Sequence, residues 1–580
     1  MANSRLKKLT SYLRPYSKQI IFGTIALLVV NVVGIYIPQL IRNSVNGLQE
    51  VKNSDEVWPY VLLILVLASL MWVIRMISRV ILFGVGREVE FDLKQKIFQH
   101  LLTLEPSYFA TNTSGDLINR ATSDVDNIRR LLGFAILSLI NTLFAYGLTV
   151  PFMLSINASI SLMAISVYPL MLIAVQLFSK KLQNRQLQVQ KKLSDLSELI
   201  QEDVSGMALI KIYAQEENER RAFAKKNQNL LQANINLART RNLLFPIIEA
   251  ISYISLLILL WLGSGAIERG EISVGDYVAL SIYIERLVFP TALLGFTITA
   301  YQRGEVSIDR LEAIFEVQPK IKDVSETIAL PEEVKGSIKA TNLTYTYPGE
   351  KNPALKNLNF TITPGEVVAI VGPIGAGKST LANAIPRLLD IEEGQLFLDG
   401  CDTTKLPLQE LRKAIACVPQ ESFLFSATIK NNIRYGDPLQ EQPEVEYAAK
   451  RAQIHPEILN FPQQYETVVG ERGITLSGGQ RQRTSLARAL LVEAQVLILD
   501  DALSSVDNQT ATEILSNLSA QKGKSVIFIS HQLSAASSAD RILVMDKGEI
   551  VQSGTHAELV QRSGLYQSLW KQHRIEEVLG

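Results

Sequence analysis

The chain has 580 residues, of which 47% are hydrophobic and 20% are charged. This length exceeds what one hydrophobic core organises, so at least two domains are expected, one apolar and one polar. Lysine plus arginine and aspartate plus glutamate each total 57, which excludes the basic excess typical of nucleic-acid partners. The two cysteines, Cys401 and Cys417, fit a reducing compartment and are predicted to be packing residues rather than metal or disulfide partners.

The first half contains apolar runs that each approach the roughly 20 residues a helix needs to cross a bilayer. They lie at residues 20–37, 57–74, 133–154, 158–178, 244–267 and 277–301. We therefore predict six transmembrane helices. The run after Lys18 shows no small-residue cleavage pattern and is predicted to be a retained anchor.

Basic residues precede the first run and set the predicted orientation. They are Arg5, Lys7, Lys8, Arg14 and Lys18. An even number of spans returns the chain to its starting side, so the N-terminus and the second half are both predicted to be cytoplasmic. The absence of a transit peptide favours a bacterial plasma (inner) membrane.

Two long charged segments, residues 86–132 and 179–242, separate the apolar runs. They are predicted to be helical extensions of the spans into the cytosol, each turning at a short elbow such as 111–115. Solvated loops are the alternative, but unstructured loops of this length are uncommon.

Three charged residues fall inside predicted spans, namely Glu249, Glu285 and Arg286. Intramembrane charges are costly, so these residues are candidates for a transport path. Alternatively, Glu249 is wetted near the interface, and Glu285 and Arg286 pair with neighbouring helices.

The second half contains a P-loop in its required context, since the buried strand pattern 367–371 precedes it and a helical pattern follows. Its residues are Gly372, Pro373, Ile374, Gly375, Ala376, Gly377, Lys378, Ser379 and Thr380. The glycines let backbone N–H groups approach phosphates, Lys378 places a charge on the β- and γ-phosphates, and Ser379 offers a hydroxyl to Mg²⁺. The predicted ligand is a nucleoside triphosphate.

Two further strand patterns end in polar residues at the expected ligand edge of an α/β sheet. Asp500 ends the run 496–500 and is predicted to be a second Mg²⁺ contact. His531 follows the run 526–529 and is predicted to sense or hold the γ-phosphate.

The segment Leu476-Ser477-Gly478-Gly479-Gln480-Arg481-Gln482-Arg483 resembles the signature of ABC transporters. The segments 105–117 and 204–211 resemble cytoplasmic loops of the exporter subfamily. The resemblance covers nearly the whole chain. It implies an all-α membrane domain of six transmembrane helices with long cytoplasmic extensions, followed by an α/β P-loop ATP-binding cassette domain. The predicted bounds are 1–304 for the membrane domain, 305–336 for a linker and 337–575 for the cassette.

The resemblance also implies roles for single residues. Tyr347 resembles the aromatic that stacks on adenine, with Tyr345 the less favoured candidate. Gln420 resembles the glutamine that contacts Mg²⁺ and water. Glu471 resembles part of a relay loop, and Ser504-Ser505-Val506-Asp507 resembles a loop at the dimer interface.

In this family the signature of one chain closes over the P-loop of another. Ser477, Gly478, Gly479 and Gln480 would therefore contact ATP held by a second chain. The resemblance implies ATP and Mg²⁺ as cofactors, and membrane lipid and a second half-transporter chain as partners.

One position departs from the family pattern. A catalytic glutamate is expected after Asp500, whereas this chain has Asp501, whose carboxylate reaches about 1.5 Å less far. This favours a heterodimer in which the site on this chain hydrolyses ATP slowly and a partner supplies the glutamate. A homodimer in which Asp501 and His531 together suffice remains the alternative. The predicted catalytic residues are Asp501, His531 and Gln420.

The predicted function is ATP-driven export of a hydrophobic or amphipathic solute such as a drug or lipid. One alternative is a lipid flippase. Another is a regulatory or gating membrane ATPase with a weak ATP site. A soluble ATPase acting on DNA or ribosomes is excluded by the apolar spans.

Overall fold

The computed structural model describes residues 2–50, 58–324, 326–506, 508–519, 523–530 and 532–579. Side chains are described at all of these except 2–7, 48–50, 508, 519 and 576–579. The chain divides into two compact units. One contains Met1–Leu102 with Asn112–Val317, and the other contains Thr103–Thr111 with Gln318–Gly580.

Helices account for the membrane half of the chain. In chain order they are α1 (Ala2–Leu13), α2 (Ser17–Glu50), α3 (Trp58–Leu101), α4 (Pro106–Thr111), α5 (Ser114–Asn119), α6 (Val125–Arg130), α7 (Ile136–Ile156), α8 (Ala158–Ile165), α9 (Tyr168–Ser205), α10 (Met207–Ile212), α11 (Glu216–Glu268) and α12 (Val274–Phe315). Short π-helical turns at Arg120–Asp124 and Leu131–Ala135 join α5, α6 and α7 into one continuous rod. Helix α4 alone belongs to the second unit.

Six helical segments in the described residues are long and apolar enough to cross a membrane. They are Lys8–Gly47, Trp58–Leu101, Ser114–Ile156, Ala158–Ser205, Glu216–Glu268 and Val274–Phe315. The six predicted spans are confirmed. Because these rods are 40 to 53 residues long, they continue well beyond the roughly 20 residues that a bilayer requires.

The long charged segments are helical extensions, as predicted, rather than solvated loops. The elbow predicted at 111–115 is shorter than expected, because only Asn112 and Thr113 lie between α4 and α5. Thr113 has extended backbone angles, and its side chain accepts a hydrogen bond from the Asp116 amide, which begins α5 at Ser114.

Polar side chains join the membrane helices to one another. The Ser78 hydroxyl on α3 donates to the Gly23 carbonyl on α2 at 2.8 Å, and Ser255 on α11 donates to Ala164 on α8 at 2.6 Å. Tyr283 on α12 donates to the Ile35 carbonyl on α2 at 2.9 Å. Such interhelical bonds stabilise helix pairs where lipid provides no hydrophobic driving force between them.

The second unit contains two sheets. Its strands are β1 (Ile338–Tyr345), β2 (Leu355–Ile362), β3 (Val367–Val371), β4 (Leu396–Leu398), β5 (Cys401–Asp402), β6 (Ile415–Val418), β7 (Val496–Asp500), β8 (Ser525–Ile529), β9 (Arg541–Asp546) and β10 (Glu549–Gly554). An antiparallel sheet has the order β2-β1-β4-β5, and a larger sheet has the order β10-β9-β3-β8-β7-β6. All neighbours in the larger sheet are parallel except β9 and β10.

Helices complete this unit. They are α13 (Lys378–Ala384), α14 (Leu408–Ala414), α15 (Ile429–Arg434), α16 (Gln442–Arg451), α17 (His455–Leu459), α18 (Gly478–Leu491), α19 (Asn508–Ser519), α20 (Leu533–Ala536), α21 (His556–Gln561) and α22 (Leu565–Leu579). The predicted fold class is thereby confirmed. The domain bounds stay predictions, although α12 continues to Phe315, past the predicted start of the linker at 305.

The central strands of the larger sheet send alternate side chains to its two faces, and both faces are buried. Ile370, Ile498 and Ile527 join one hydrophobic cluster with residues of the antiparallel sheet. Ala369 and Leu497 join the other cluster, which includes residues of α16 and α18. Because side chains alternate across a strand, a continuous apolar run such as 367–371 fills both cores at once.

Both cysteines pack against the hydrophobic cluster between the two sheets, as predicted. Burial of the Cys417 thiol, with the nearby carboxylate of Asp500, raises its pKa to about 12. At pH 8 only about one such thiol in ten thousand is then ionised.

In a Cys401→Ser variant of the folded protein we expect iodoacetamide to leave Cys417 unmodified at pH 8, with labelling increasing only at much higher pH. Mass spectrometry measures the labelling, and detergent-unfolded protein is the control that must label fully. Rapid labelling of the folded protein at pH 8 would contradict the raised pKa.

Candidate nucleotide-binding site

The P-loop connects the central strand β3 to helix α13. Gly372 and Gly377 have φ values of +150° and +95°, which L side chains rarely adopt. A side chain at Gly372 would meet the Met545 carbonyl, and one at Gly377 would meet the Ala354 carbonyl. Glycine is therefore required at both positions, and the loop backbone stays bare where phosphates would bind.

Lys378 is the first residue of α13 and is only 6% exposed. Its ammonium donates to the carbonyls of Gly372 at 2.8 Å and Pro373 at 2.9 Å, so the side chain folds back along the loop. Burial lowers the pKa of Lys378, while the carboxylates of Asp500 and Asp501 act in the opposite direction. The amine is thus held inside the cradle, where the negative charge of a phosphate would raise its pKa again.

Ser379, in the first turn of α13, lies against Asp500, the last residue of β7. The Ser379 hydroxyl donates to Asp500 Oδ1 at 3.1 Å. Neighbouring ligands around Mg²⁺, each at about 2.0–2.1 Å from the metal, lie roughly 3 Å apart. The spacing of this pair therefore fits two neighbouring protein ligands of a magnesium ion.

Tyr347 lies beside the P-loop helix. Its hydroxyl is 3.2 Å from Thr380 Oγ1, and its ring meets Tyr345 edge-to-face at 5.1 Å. Tyr347 is 37% exposed, whereas Tyr345 is 9% exposed, so Tyr347 is the aromatic with a surface free for a base. This greater exposure favours Tyr347 over Tyr345, and stacking on adenine stays a prediction.

Tyr347→Ala is expected to weaken ATP binding by this chain about tenfold, because aromatic stacking on a base contributes about 1–3 kcal/mol. Tyr347→Phe keeps the ring and is expected to bind nearly as wild type. The measurement is the dissociation constant of a fluorescent ATP analogue, with Tyr345→Phe as the neighbouring control. Wild-type affinity in Tyr347→Ala would show that the base binds elsewhere.

Gln420 follows β6, which is parallel to β7, so it leaves the sheet at the same edge as Asp500. Its side chain is exposed and forms no hydrogen bond within the described residues. The loop that follows Gln420 is held by Asn432 and Arg488, two residues that the sequence patterns did not single out. Asn432 accepts from the Phe425 amide at 2.8 Å, and Arg488 donates to the Phe423 carbonyl at 3.0 Å.

Asp501 stands directly after β7 with a left-handed φ of +51°. Its amide donates to the Ile529 carbonyl at 3.0 Å, and its own carbonyl accepts from the Ser504 hydroxyl at 3.0 Å. Gln482 on α18 clamps the same turn, since its amide group donates to Ser504 Oγ at 3.0 Å and accepts from the Ser505 amide at 2.8 Å. The backbone under the Asp501 carboxylate is therefore firmly fixed.

The signature residues Ser477, Gly478, Gly479 and Gln480 form the start of α18. Ser477 is exposed and caps the helix, and Gln480 completes a capping box. Gly479 lies against the Ser505 carbonyl, where a side chain would collide. Within the described residues, no hydrogen bond or ion pair joins this segment to the P-loop 372–380, so the structure does not bring the two together in one chain.

Of three further predicted positions, the structure describes Glu471 but not His531 or Asp507. Glu471 is exposed in a short 3-10 turn, Glu471–Gly473. His531 and Asp507 lie outside the described residues, and their roles stay predictions. The α19 helix begins at Asn508, directly after the predicted interface loop.

The charged residues within the spans separate into two groups. Arg286 on α12 donates to the backbone carbonyl and the side-chain oxygen of Asn31 on α2, at 3.2 and 3.3 Å. Gly34 leaves the room its guanidinium occupies. Arg286 therefore pairs with a neighbouring helix, while Glu249 and Glu285 are exposed on this chain.

Six helices long and apolar enough to cross a membrane, together with a unit that carries a P-loop and a signature segment, define a membrane ATPase. Residues 20–291 match the family described as ABC transporter transmembrane region, and residues 355–504 match the family described as ABC transporter. The chain belongs to the ABC transporter family, and it is an ATPase coupled to transport.

Similar proteins extend along nearly the whole chain. The multidrug resistance-like ATP-binding protein MdlA of Escherichia coli is 34% identical over 96% of this chain and 95% of its own length. An ATP-dependent lipid A-core flippase of Syntrophus aciditrophicus is 30% identical over 99% and 96%. A bacterial Atm1-family ABC exporter with ATP bound has a TM-score of 0.77 at 25% identity, over 96% of this chain and 99% of that one.

These comparisons confirm the predicted family and membership among the exporters. A chain with one transmembrane region and one ATPase region is a half-transporter, and half-transporters of this kind work as dimers. The protein is a multi-pass membrane protein that binds nucleotide.

Proposed function

We propose that this chain is one half of a dimer that uses ATP and Mg²⁺ to export a hydrophobic or amphipathic solute across the plasma (inner) membrane. Lys378 and the bare P-loop backbone bind the phosphates, Ser379 and Asp500 hold Mg²⁺, and Tyr347 stacks on adenine. The single observation that carries the proposal is the approach of Ser379 to Asp500, 3.1 Å, beside the buried Lys378 ammonium.

The proposed coupling follows from the two-chain arrangement. The N-terminus of α18, with Ser477 and the amides of Gly478 and Gly479, points its donors at an ATP held by the partner. Gln420, exposed after β6, contacts Mg²⁺ and the attacking water. Binding of two ATP molecules closes the two cytoplasmic ATPase units, and hydrolysis reopens them, so the membrane helices alternate between two states.

A heterodimer is favoured over a homodimer. The short Asp501 stands where a longer carboxylate would polarise water, whereas the signature segment is complete. The partner would then supply the working base, and this chain would supply the signature that completes that site.

The cargo is proposed to be a drug or a lipid. Relatives named for multidrug resistance and a relative named as a lipid A-core flippase both support this range. The test is ATP-dependent accumulation of labelled drugs and labelled phospholipids in inverted membrane vesicles containing the chain and its partner. Uptake that requires ATP supports export. Normal ATP binding and hydrolysis with no uptake of either class would favour a gating ATPase instead.

A further inference from the structure

A cavity of about 590 Å³ opens among four helices of the membrane unit. Its walls come from α6 and the π-helical turn that follows, from α9, from α11 and from α12. Each wall lies where an apolar run of the sequence gives way to a charged extension, near residues 133, 179, 241 and 301. That boundary is the depth at which lipid headgroups meet the hydrocarbon.

Four arginines line this cavity, and no acidic residue does. Arg129 and Arg130 are both bonded to the carboxylate of Asp126, at 2.9 and 2.7 Å through their Nε atoms. Arg241 on α11 and Arg303 on α12 have neither a hydrogen bond nor an ion pair with any described residue. The cavity therefore carries two cationic groups that no described residue neutralises.

The remaining lining is divided between apolar and neutral polar groups. Phe134, Leu237 and Phe296 provide apolar walls. Ser179 is 7% exposed, and its buried hydroxyl has no hydrogen-bond partner within the described residues. An unsatisfied buried hydroxyl costs free energy unless a ligand pairs with it.

We propose that this cavity binds the headgroup of an anionic amphiphile, a phosphate or carboxylate, with its apolar chain along the aromatic and leucine walls. The proposal deepens the proposed function, because it rests on the membrane helices forming the export path. Guanidinium groups bind phosphate and carboxylate through paired N–H donors, and no described residue accepts a hydrogen bond from Arg241 or Arg303. The predicted cargo is thus narrowed to solutes with a negative charge at one end.

A soluble phosphate compound shares the headgroup chemistry, but it would leave the apolar walls exposed to water. Burial of an apolar chain contributes about 0.8 kcal/mol per methylene group. We therefore assign the site to a lipid-like occupant, and the soluble compound becomes an arm of the test.

The test measures binding and needs neither ATP nor transport. The full-length protein is placed in phosphatidylcholine nanodiscs with a small fraction of photoactivatable phosphatidylglycerol, and crosslinked peptides are mapped by mass spectrometry. We expect crosslinks on the segments of α9, α11 and α12 that line the cavity. Photoactivatable phosphatidylcholine with the same acyl chains is expected to give at least fivefold less labelling there.

Variants identify the groups responsible. Arg241→Gln and Arg303→Gln are each expected to reduce cavity labelling by phosphatidylglycerol about fivefold, the effect of about 1 kcal/mol per arginine near an anionic lipid. Arg239→Gln is the matched control, because Arg239 is exposed on α11 two residues from Arg241 and does not line the cavity. Retained binding of a fluorescent ATP analogue verifies that each variant is folded.

The outcomes are separable. Equal labelling by the two lipids, or unchanged labelling in Arg241→Gln and Arg303→Gln, overturns the anionic site. Displacement of the probe by millimolar glycerol phosphate as well as by unlabelled phosphatidylglycerol overturns the assignment to an amphiphile. Arginine-dependent labelling in a protein that transports nothing would refute export and leave the binding site standing.

Discussion

Replacing Lys378 with alanine is expected to weaken the binding of ATP to this chain about 10- to 100-fold. A hydrogen bond to a charged group contributes about 1.5–3 kcal/mol, and the substitution removes the only side-chain ammonium described in the cradle. The carbonyls of Gly372 and Pro373, which now accept from Lys378, would also lose their partner. The measurement is the dissociation constant of a fluorescent ATP analogue with Mg²⁺, for the purified chain in lipid.

The pH dependence of ATP binding tests the role of Lys378 in a second way. Burial lowers the pKa of the Lys378 ammonium in the nucleotide-free protein. Below that pKa the amine is charged and binding is at full strength, and above it the charge is lost. We therefore expect ATP affinity to decline as the pH rises, beginning at a lower pH than for an ordinary lysine.

Lys450→Ala is the matched control, because Lys450 is exposed on α16 in the same unit. Its ATP affinity should equal that of the wild type. A Lys378→Ala protein that is folded and binds ATP with wild-type affinity would show that the phosphates do not lie in this loop.

Local motifs made much of the site predictable. Gly372 to Thr380 are contiguous, and the glycines, Lys378 and Ser379 follow from what phosphate binding requires of the backbone and the first turn of α13. Asp500 could be predicted because it is the acidic residue that ends the otherwise apolar strand pattern 496–500. The structure brings Ser379, Lys378 and Asp500 together because β3 and β7 are parallel with β8 between them.

Other features depend on packing between distant elements, which no local pattern encodes. Arg488 bonds the Asn432 carbonyl at 2.9 Å across 56 residues, and Gln482 reaches Ser504 across 22. Gln482 lies inside the signature segment 476–483, but its role in fixing the turn after β7 depends on how α18 packs against that turn. Arg241 and Arg303 likewise meet in one cavity only because α11 and α12 pack together.

Helix ends were the least predictable local feature. The elbow at 111–115 contains Thr, Asn, Ser and Gly, all typical of turns, but most of it is helical. Thr113 provides the cap that lets α5 begin at Ser114, so the turn needs only two residues.

Asp501 determines whether this chain turns over ATP by itself, and we expect the purified chain in lipid to bind ATP and hydrolyse it very slowly. The left-handed backbone of Asp501 is held by hydrogen bonds to Ile529 and Ser504, and Gln482 fixes the turn. The loop therefore cannot move forward at low cost to make up the missing methylene. Misplacing a catalytic group by about 1 Å reduces the rate on the order of 100-fold.

Asp501→Glu is accordingly expected to raise ATP turnover of the chain alone about 10- to 100-fold, because the longer side chain restores the reach. Asp501→Asn should leave the slow wild-type rate unchanged, since the short carboxylate contributes little. Asp437→Glu makes the same chemical change in a loop of the same unit. It is expected to leave ATP turnover unchanged. ATP affinity, measured in parallel, should be similar in all of them.

The opposite pattern would identify a self-sufficient homodimer. Brisk hydrolysis by the wild-type chain, abolished in Asp501→Asn, would mean that the short carboxylate is the working base. The partner would then be a second copy of this chain, and two equivalent sites would drive transport. Slow hydrolysis that increases in Asp501→Glu instead assigns the working base to a different chain, whose site is completed by Ser477, Gly478 and Gly479 of this one.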